Sequence, residues 1–199
     1  LSKILIPESV TKIGNYAFNE CSMLTQINIP SSIGNYAFNK CTSLSKVDIA
    51  PSVNSIGNYA FNECSNLTQI NIPSLIGDYA FNKCTSLNQV ELNSSICSIG
   101  NSAFSDCQSL TKLAIYSSET TIGSYAFIGC SLLSQIIIHS TVISISFDAF
   151  LNCFSLVEFT INSDKNFSTS SSSSIKGHAF DNCKLLKQIK IPSSINSID

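Results

Sequence analysis

Ala17-Phe18-Asn19-Glu20-Cys21-Ser22-Met23-Leu24 is one of eight stretches in this 199-residue chain that read Ala-Phe-x-x-Cys-x-x-Leu with no substitution in the four fixed letters. The others start at Ala37, Ala60, Ala80, Ala103, Ala126, Ala149 and Ala179. A repeat this short cannot bury its own apolar side, so each copy must stack on its neighbours into one continuous core. The chain therefore reads as a solenoid.

Taking the Ile before the Gly as position one, the units begin at Ile13, Ile33, Ile56, Ile76, Ile99, Ile122, Ile145 and Ile175, at spacings of 20, 23, 20, 23, 23, 23 and 30 residues. Residues 13–55 and 56–98 align without a gap and are identical at 32 of 43 positions, which points to duplication of a two-repeat block. The 20-residue units lack the three residues that elsewhere read Val53-Asn54-Ser55, so one side of the coil is shorter there.

Within a unit, Leu24-x-x-Ile27-x-Ile29 alternates apolar and polar positions over β-branched residues and predicts a strand. Pro30 follows, and proline, with no N–H to donate, ends strands, so about five residues are expected in each. Some fifteen residues of return path separate successive strands, which permits only parallel pairing at about 4.7–4.9 Å. On that return path Gly14 predicts a tight turn. Residues 16–21 predict one or two helical turns, with Asn15 as N-cap. Phe18, Cys21 and Leu24 recur in every unit, and Ile27 and Ile29 recur as Ile or another apolar residue, which predicts core columns of like side chains along the axis.

Composition narrows the function. Charged residues make up only 12%, about half the usual share; solubility rests on 67 Ser, Thr and Asn residues. The net charge is −2 and the chain has no Arg, which argues against nucleic acid as a partner. No apolar run reaches 18 residues, so no membrane insertion is expected in this segment. The chain opens at Leu1 and closes at Asp199 in mid-repeat, as a piece of a longer protein would.

Eight of the nine cysteines are the repeat's own column and the ninth is Cys97. There is no C-x-x-C pair and no Cys/His cluster of zinc spacing. Stacked Cys would have parallel Cβ vectors, poor geometry for a disulfide, so the column is expected as reduced, buried thiols. His139 and His178 sit at unrelated repeat positions, and His178, in the column of Tyr16, Tyr36 and Tyr59, is expected to replace a packed ring. No phosphate loop, matched carboxylate pair or nucleophile with its base is present. No enzyme, metal or cofactor is expected. The sequons at Asn66, Asn93 and Asn166 fit glycosylation in a eukaryotic secretory route, and chance suffices to explain them in so Asn-rich a chain.

The pattern L-x-x-I-x-I-P-x-S-V-x-x-I-G-x-Y-A-F-x-x-C-x-x-L, running from Leu1 to Leu24, resembles the BspA-like, or treponemal-type, leucine-rich repeats, and the resemblance covers essentially the whole chain. It implies a leucine-rich-repeat solenoid: a curved right-handed coil with a parallel β-sheet on the concave face and short turns, 3-10 or helical segments on the return path. One domain is expected over residues 1–199, with a partial unit at 1–12, eight units from residue 13 on and a Ser-rich insertion at 163–174. The resemblance also implies a secreted or cell-surface protein of host-associated bacteria or protists that adheres to host matrix proteins or other cells.

Departures from the repeat are where a function would be written. The Ser-rich insertion is expected as a flexible loop. Side chains alternating with the buried Ile positions form outward columns, mostly polar in the first units. Later they run Lys112, Gln135, Glu158; Ala114, Ile137, Thr160; and Tyr116, His139 in the place of proline. These eight residues are the candidate ligand-binding patch. Drift in a surface column, or contact with another part of the parent protein, accounts for the same letters. Glu119 falls at a column of Val and Ile, so a bulge is expected there to turn it to solvent. Glu20, Lys40, Glu63, Lys83 and Asp106 alternate in sign and are expected as a charge ladder worth about 0–1 kcal/mol per exposed pair.

Three functional classes remain: a binding module for a protein or glycan on host matrix or another cell, a structural spacer or intracellular interaction scaffold, and an enzyme, for which no site is visible. Apolar columns and strand edges at the cut ends allow end-to-end self-association.

Overall fold

The computed structural model describes residues 2–72, 75–92, 96–162 and 173–199, with residues 118, 119 and 140–143 described in backbone only. Most of the Ser-rich insertion and the sequons at Asn93 and Asn166 lie outside the described residues.

The chain forms a solenoid of about eight turns carrying two rows of parallel strands. One row, the broad face, holds β1 (Lys3–Ile4), β3 (Gln26–Ile29), β5 (Lys46–Ile49), β7 (Gln69–Ile72), β9 (Gln89–Leu92), β11 (Lys112–Ile122), β12 (Gln135–Ile145), β13 (Glu158–Ile161) and β15 (Gln188–Lys190). The second row, unforeseen from the sequence, is a narrow ladder of β2 (Lys12–Ile13), β4 (Ser32–Ile33), β6 (Ser55–Ile56), β8 (Leu75–Ile76), β10 (Ser98–Ile99), β14 (Ser173–Ile175) and β16 (Ile195–Ile198). It is joined to the first through the far halves of β11 and β12.

A proline accompanies some of the short strands but does not set their length: β5, β9 and β13 also have four residues and end before Ala50, Asn93 and Asn162. Strands β3 and β7 stop at the residue before Pro30 and Pro73. Where Tyr116 and His139 stand in that place, β11 and β12 run on for 11 residues, longer than the five expected. Their pairing shifts register between Tyr116 and Glu119 and again between Thr120 and Thr121, so a bulge does lie at the corner where Glu119 sits. The side chain of Glu119 lies outside the described residues.

The return path corrects the helical expectation: among the described residues there is no helix. Residues 15–20 form turns in which Tyr16 and Glu20 adopt left-handed backbone (φ 59° and 60°), and every later coil repeats both kinks, with Gly129 the only glycine among them. Left-handed φ costs a non-glycine residue about 1–2 kcal/mol, and it persists because it aims alternate N–H groups along the axis. Tyr16, Phe18 and Glu20 donate to the carbonyls of Asn35, Ala37 and Asn39 one coil on, at 2.9, 2.8 and 2.7 Å. Asn15 is no N-cap. Its Oδ1 accepts the N–H of Asn35 at 2.9 Å, and Asn35, Asn58, Asp78 and Asn101 repeat the contact down to Ser124. A second ladder links the side chains of Asn19, Asn39, Asn62 and Asn82 at 2.7–2.8 Å.

The core columns are as the repeat predicts. Phe18, Phe38, Phe61, Phe81, Phe104, Phe127, Phe150 and Phe180 stack near-parallel at 5.2–5.6 Å, beside buried Leu and Ile columns. Each column thiol from Cys41 onward donates to the carbonyl of the preceding coil's Phe at 3.2–3.3 Å. Burial, with Cys21 adding to it, pushes the Cys41 thiol up to about 12, and burial likewise raises Cys64, Cys84, Cys107 and Cys130.

Three smaller expectations change. Ser173 and Ser174, the end of the expected loop, are buried in β14. Of the charge ladder only Lys40 and Glu20 pair, at 3.7 Å, among the described residues. His178 is exposed, with Asp148 rather than a ring below it in its column, so it takes no packed ring's place.

Candidate binding face

Strands β11, β12 and β13 bring the eight candidate residues side by side in register, seven of them at least partly exposed and Thr160 buried. Lys112 pairs with Gln135 and Gln135 with Glu158; Ala114 with Ile137 and Ile137 with Thr160; Tyr116 with His139. The alternate residues Leu113, Ile115, Ile136, Ile138, Phe159 and Ile161 turn inward and are buried. Tyr116 stands 54% exposed, and its ring lies flat on the half-buried His139 imidazole, with centroids 4.9 Å apart and planes 7° apart. Ile137 and Ala114 are half-buried beside this pair and Lys112 is exposed.

The acidic corner is tied down. Glu158 accepts from Gln135 Nε2 at 2.9 Å through Oε2 and from Thr160 Oγ1 at 3.3 Å through Oε1. Thr160, expected as an outward contact, is buried, its hydroxyl turned to that carboxylate. What remains open to a partner is a flat aromatic pair with an aliphatic flank and a fixed carboxylate rim. That surface can stack, desolvate and accept hydrogen bonds.

Sequence reasoning missed two grooves on the same face, one of them beside this patch. A continuous face ladder was expected; instead β1–β3–β5, β7–β9 and β11–β12–β13–β15 form three separate hydrogen-bonded groups. At Ser45, Asn88, Ser134, Val157 and Lys187 the N–H is donated to a backbone carbonyl of the preceding coil, whereas Thr68 and Thr111, at the equivalent positions, have no such bond. The first seam holds a groove of about 290 Å³ whose walls include Asp48, Gln69, Asn71 and Glu91. The second, about 450 Å³, runs between β9 and β11 along Gln89, Val90, Glu91, Thr111, Lys112 and Ala114, and so opens directly onto the candidate patch. The one signal for the seams is that each follows a valine, Val47 or Val90, in an inward column that otherwise carries Ile, Leu or Phe.

Among the described residues no group of three or more His, Cys, Asp or Glu converges as a metal site, and no helix is long and apolar enough to cross a membrane. No curated protein matches the chain. Among solved structures, a leucine-rich repeat protein from Bacteroides ovatus is 25% identical with a TM-score of 0.51, the match covering 98% of this chain and 70% of that one. The T. pallidum leucine-rich repeat protein is 21% identical with a TM-score of 0.55, covering 94% and 78%. The profile of the BspA type leucine rich repeat region matches in six copies, over residues 1–76, 74–171 and 163–199. With the eightfold repeat and the stacked parallel strands, this makes the chain a member of the BspA-type leucine-rich repeat family.

Proposed function

We propose that the chain is a non-enzymatic adhesion module, at a cell surface or secreted, that holds a protein or glycan of host matrix or another cell on the face of β11, β12 and β13. Lys112, Ala114, Tyr116, Gln135, Ile137, His139, Glu158 and Thr160 form or support that site. The observation carrying this reading is the exposed Tyr116–His139 stack with Ile137 beside it, on a face whose earlier coils carry Asn28, Asp48, Asn71 and Glu91 in the column of Ile137 and no aromatic ring in the column of Tyr116. A rigid array of this kind loses little entropy on binding, and exposed aromatic residues are the usual anchors of interfaces.

The test is binding to a panel of immobilised matrix proteins and to a glycan array, with the double variant Tyr116→Ala/Ile137→Lys against Gln26→Ala as control. Any ligand held by the intact chain is expected to lose at least tenfold in affinity on the double variant and nothing on the control. Equal binding by all three would remove the patch from the proposal.

A second reading, a spacer, draws on residues 13–98. There the Phe, Tyr and Asn ladders continue almost unchanged from coil to coil, which suits a rod that projects something else.

A further inference from the structure

The groove of about 450 Å³ between β9 and β11 is apolar at its base and polar along its rim. At the base lie Val90, which is buried, and Ala114, the smallest side chain in an outward column that holds Asn71 and Glu91 before it and Ile137 and Thr160 after it. The walls are the outward residues of the two strands, Gln89 and Glu91 on one side and Lys112 on the other, whose aliphatic stems extend the apolar base. The volume falls within the range of about 300–1,000 Å³ in which small ligands are held.

The rim groups are fixed and unspent. Glu91 is exposed, and its Oε1 accepts Gln89 Nε2 at 2.9 Å, so a neutral amide holds the carboxylate in place while Oε2 has no partner among the described residues. The same device stands on the far side of β11, where Gln135 Nε2 holds Glu158 at 2.9 Å. Lys112 is exposed between these two carboxylates and belongs to none of the ion pairs among the described residues. At the mouth of the seam the Thr111 N–H has no backbone acceptor on the preceding coil.

We infer that the seam between β9 and β11 is a subsite for one neutral pyranose with equatorial hydroxyls, part of a glycan. The inference rests on the adhesion reading for the source of the ligand and names its class. Such a sugar is apolar on its two CH faces and polar around its edge, the same division that the groove has. One CH face covers Val90 and Ala114, and the hydroxyls reach Glu91 Oε2, Lys112 Nζ and the Thr111 N–H. A carboxylate held by an amide makes charge-assisted bonds to hydroxyls, and a site built to bond hydroxyls rejects rings that lack them. Two carboxylates against one ammonium leave the rim negative, which disfavours acidic sugars. A protein partner finds less here, because interface anchors need a fully desolvated pocket and this groove is open along its length.

The test titrates methyl β-D-glucopyranoside, whose hydroxyls are all equatorial, into the full chain while following the backbone amide resonances of Glu91 and Ala114 by NMR. Saturable shifts of both are expected, with a dissociation constant on the order of 1–10 mM. The corresponding methyl glucuronide is expected to bind at least fivefold more weakly, and cyclohexylmethanol, without ring hydroxyls, to leave both resonances in place. Glu91→Ala is expected to weaken the glycoside about tenfold and Glu91→Gln about threefold, as loss of a charge-assisted bond predicts. Ala114→Leu fills the base and is expected to abolish the titration; should it disturb β11, the exposed Glu91 variants carry the reading. Unmoved Glu91 and Ala114 resonances up to about 100 mM glycoside, or a titration undiminished in both Glu91→Ala and Ala114→Leu, would overturn the subsite. The adhesion reading fails separately, on ligands indifferent to Tyr116→Ala/Ile137→Lys. A matrix protein held through Tyr116 and Ile137 by a chain that shows no glycoside shift keeps adhesion and removes the sugar.

Discussion

A Cβ added at Gly100 would meet the carbonyl carbon of Gly77 at 2.5 Å and the N of Asp78 at 2.7 Å, while one added at Gly14 meets nothing within 4 Å. The glycine column therefore exists for the close approach of one coil's backbone to the next, not for the tight turn that the sequence suggested, since none of these glycines needs positive φ. Gly100→Ala is expected to cost about 1–3 kcal/mol as an overpacked contact, and Gly14→Ala to lie within about 0.5 kcal/mol of neutral, read from urea midpoints; equal effects would sink the packing argument. The thiols make a second residue-scale prediction. Their folded-state pKa values are raised by burial, so their contribution is full below the unfolded thiol range near pH 8.5 and is lost as pH rises toward the folded values. Each adds a slope of about 1.4 kcal/mol per pH unit. The urea midpoint is expected to be level from pH 6 to 8 and to fall steeply between pH 9 and 11. At pH 8 a thiol reagent is expected to label exposed Cys97 quickly and Cys41, Cys64, Cys84, Cys107, Cys130 and Cys153 only on unfolding. Rapid labelling of those buried thiols in the native protein would contradict the column.

Among the elements, the seams between β5 and β7 and between β9 and β11 are where the face ladder stops being a sheet. Amide exchange should register them: the N–H groups of Thr68 and Thr111, without a backbone acceptor on the preceding coil, are expected to exchange at least 100-fold faster than those of Ser45, Asn88 and Ser134, which have one. Similar protection at all five positions would mean that the seams are closed in solution. The columns on either side of the seams were legible because side-chain alternation and repeat length together fix register, which is why Lys112, Gln135 and Glu158, or Ala114 and Ile137, could be placed side by side from the letters alone. The seams were not legible, because backbone separation leaves no mark on residue type beyond Val47 and Val90. The return path misled for a different reason: Phe18 and Cys21 are three apart, as on a helix, while left-handed backbone at Tyr16 and Glu20 breaks that geometry at residues that rarely adopt it. Later copies did carry the signal. The column of Glu20 continues as Asp106, Gly129, Asn152 and Asn182, residue types that tolerate positive φ.

At the scale of the whole molecule, the near-identity of residues 13–55 and 56–98 allows the two functional readings to be separated by one deletion. Removing residues 56–98 joins Ser55 to Ile99, and Ser55 occupies in its coil the place that Ser98 holds before Ile99. The Phe stack closes up as Phe38 on Phe104, the Asn35 side chain meets the coil that begins at Ile99, and no core column loses its register. Because each coil contacts only its neighbours, stability should fall by the intrinsic and interface terms of two repeats and leave the remaining coils native. The shortened chain is expected to fold cooperatively, with a lower thermal midpoint and a denaturant m-value smaller by roughly a fifth, in proportion to the surface removed. Tyr116, Ile137, His139 and Glu158 are untouched, so a ligand held on β11, β12 and β13 should bind the shortened chain with unchanged affinity. A spacer behaves oppositely: its output is length, so whatever it projects would be drawn in by two coil rises, about 9–10 Å, with no ligand lost. Unchanged affinity in the shortened chain, abolished by Tyr116→Ala/Ile137→Lys in the same background, is the result that assigns recognition to the later coils and leaves the duplicated block as their support.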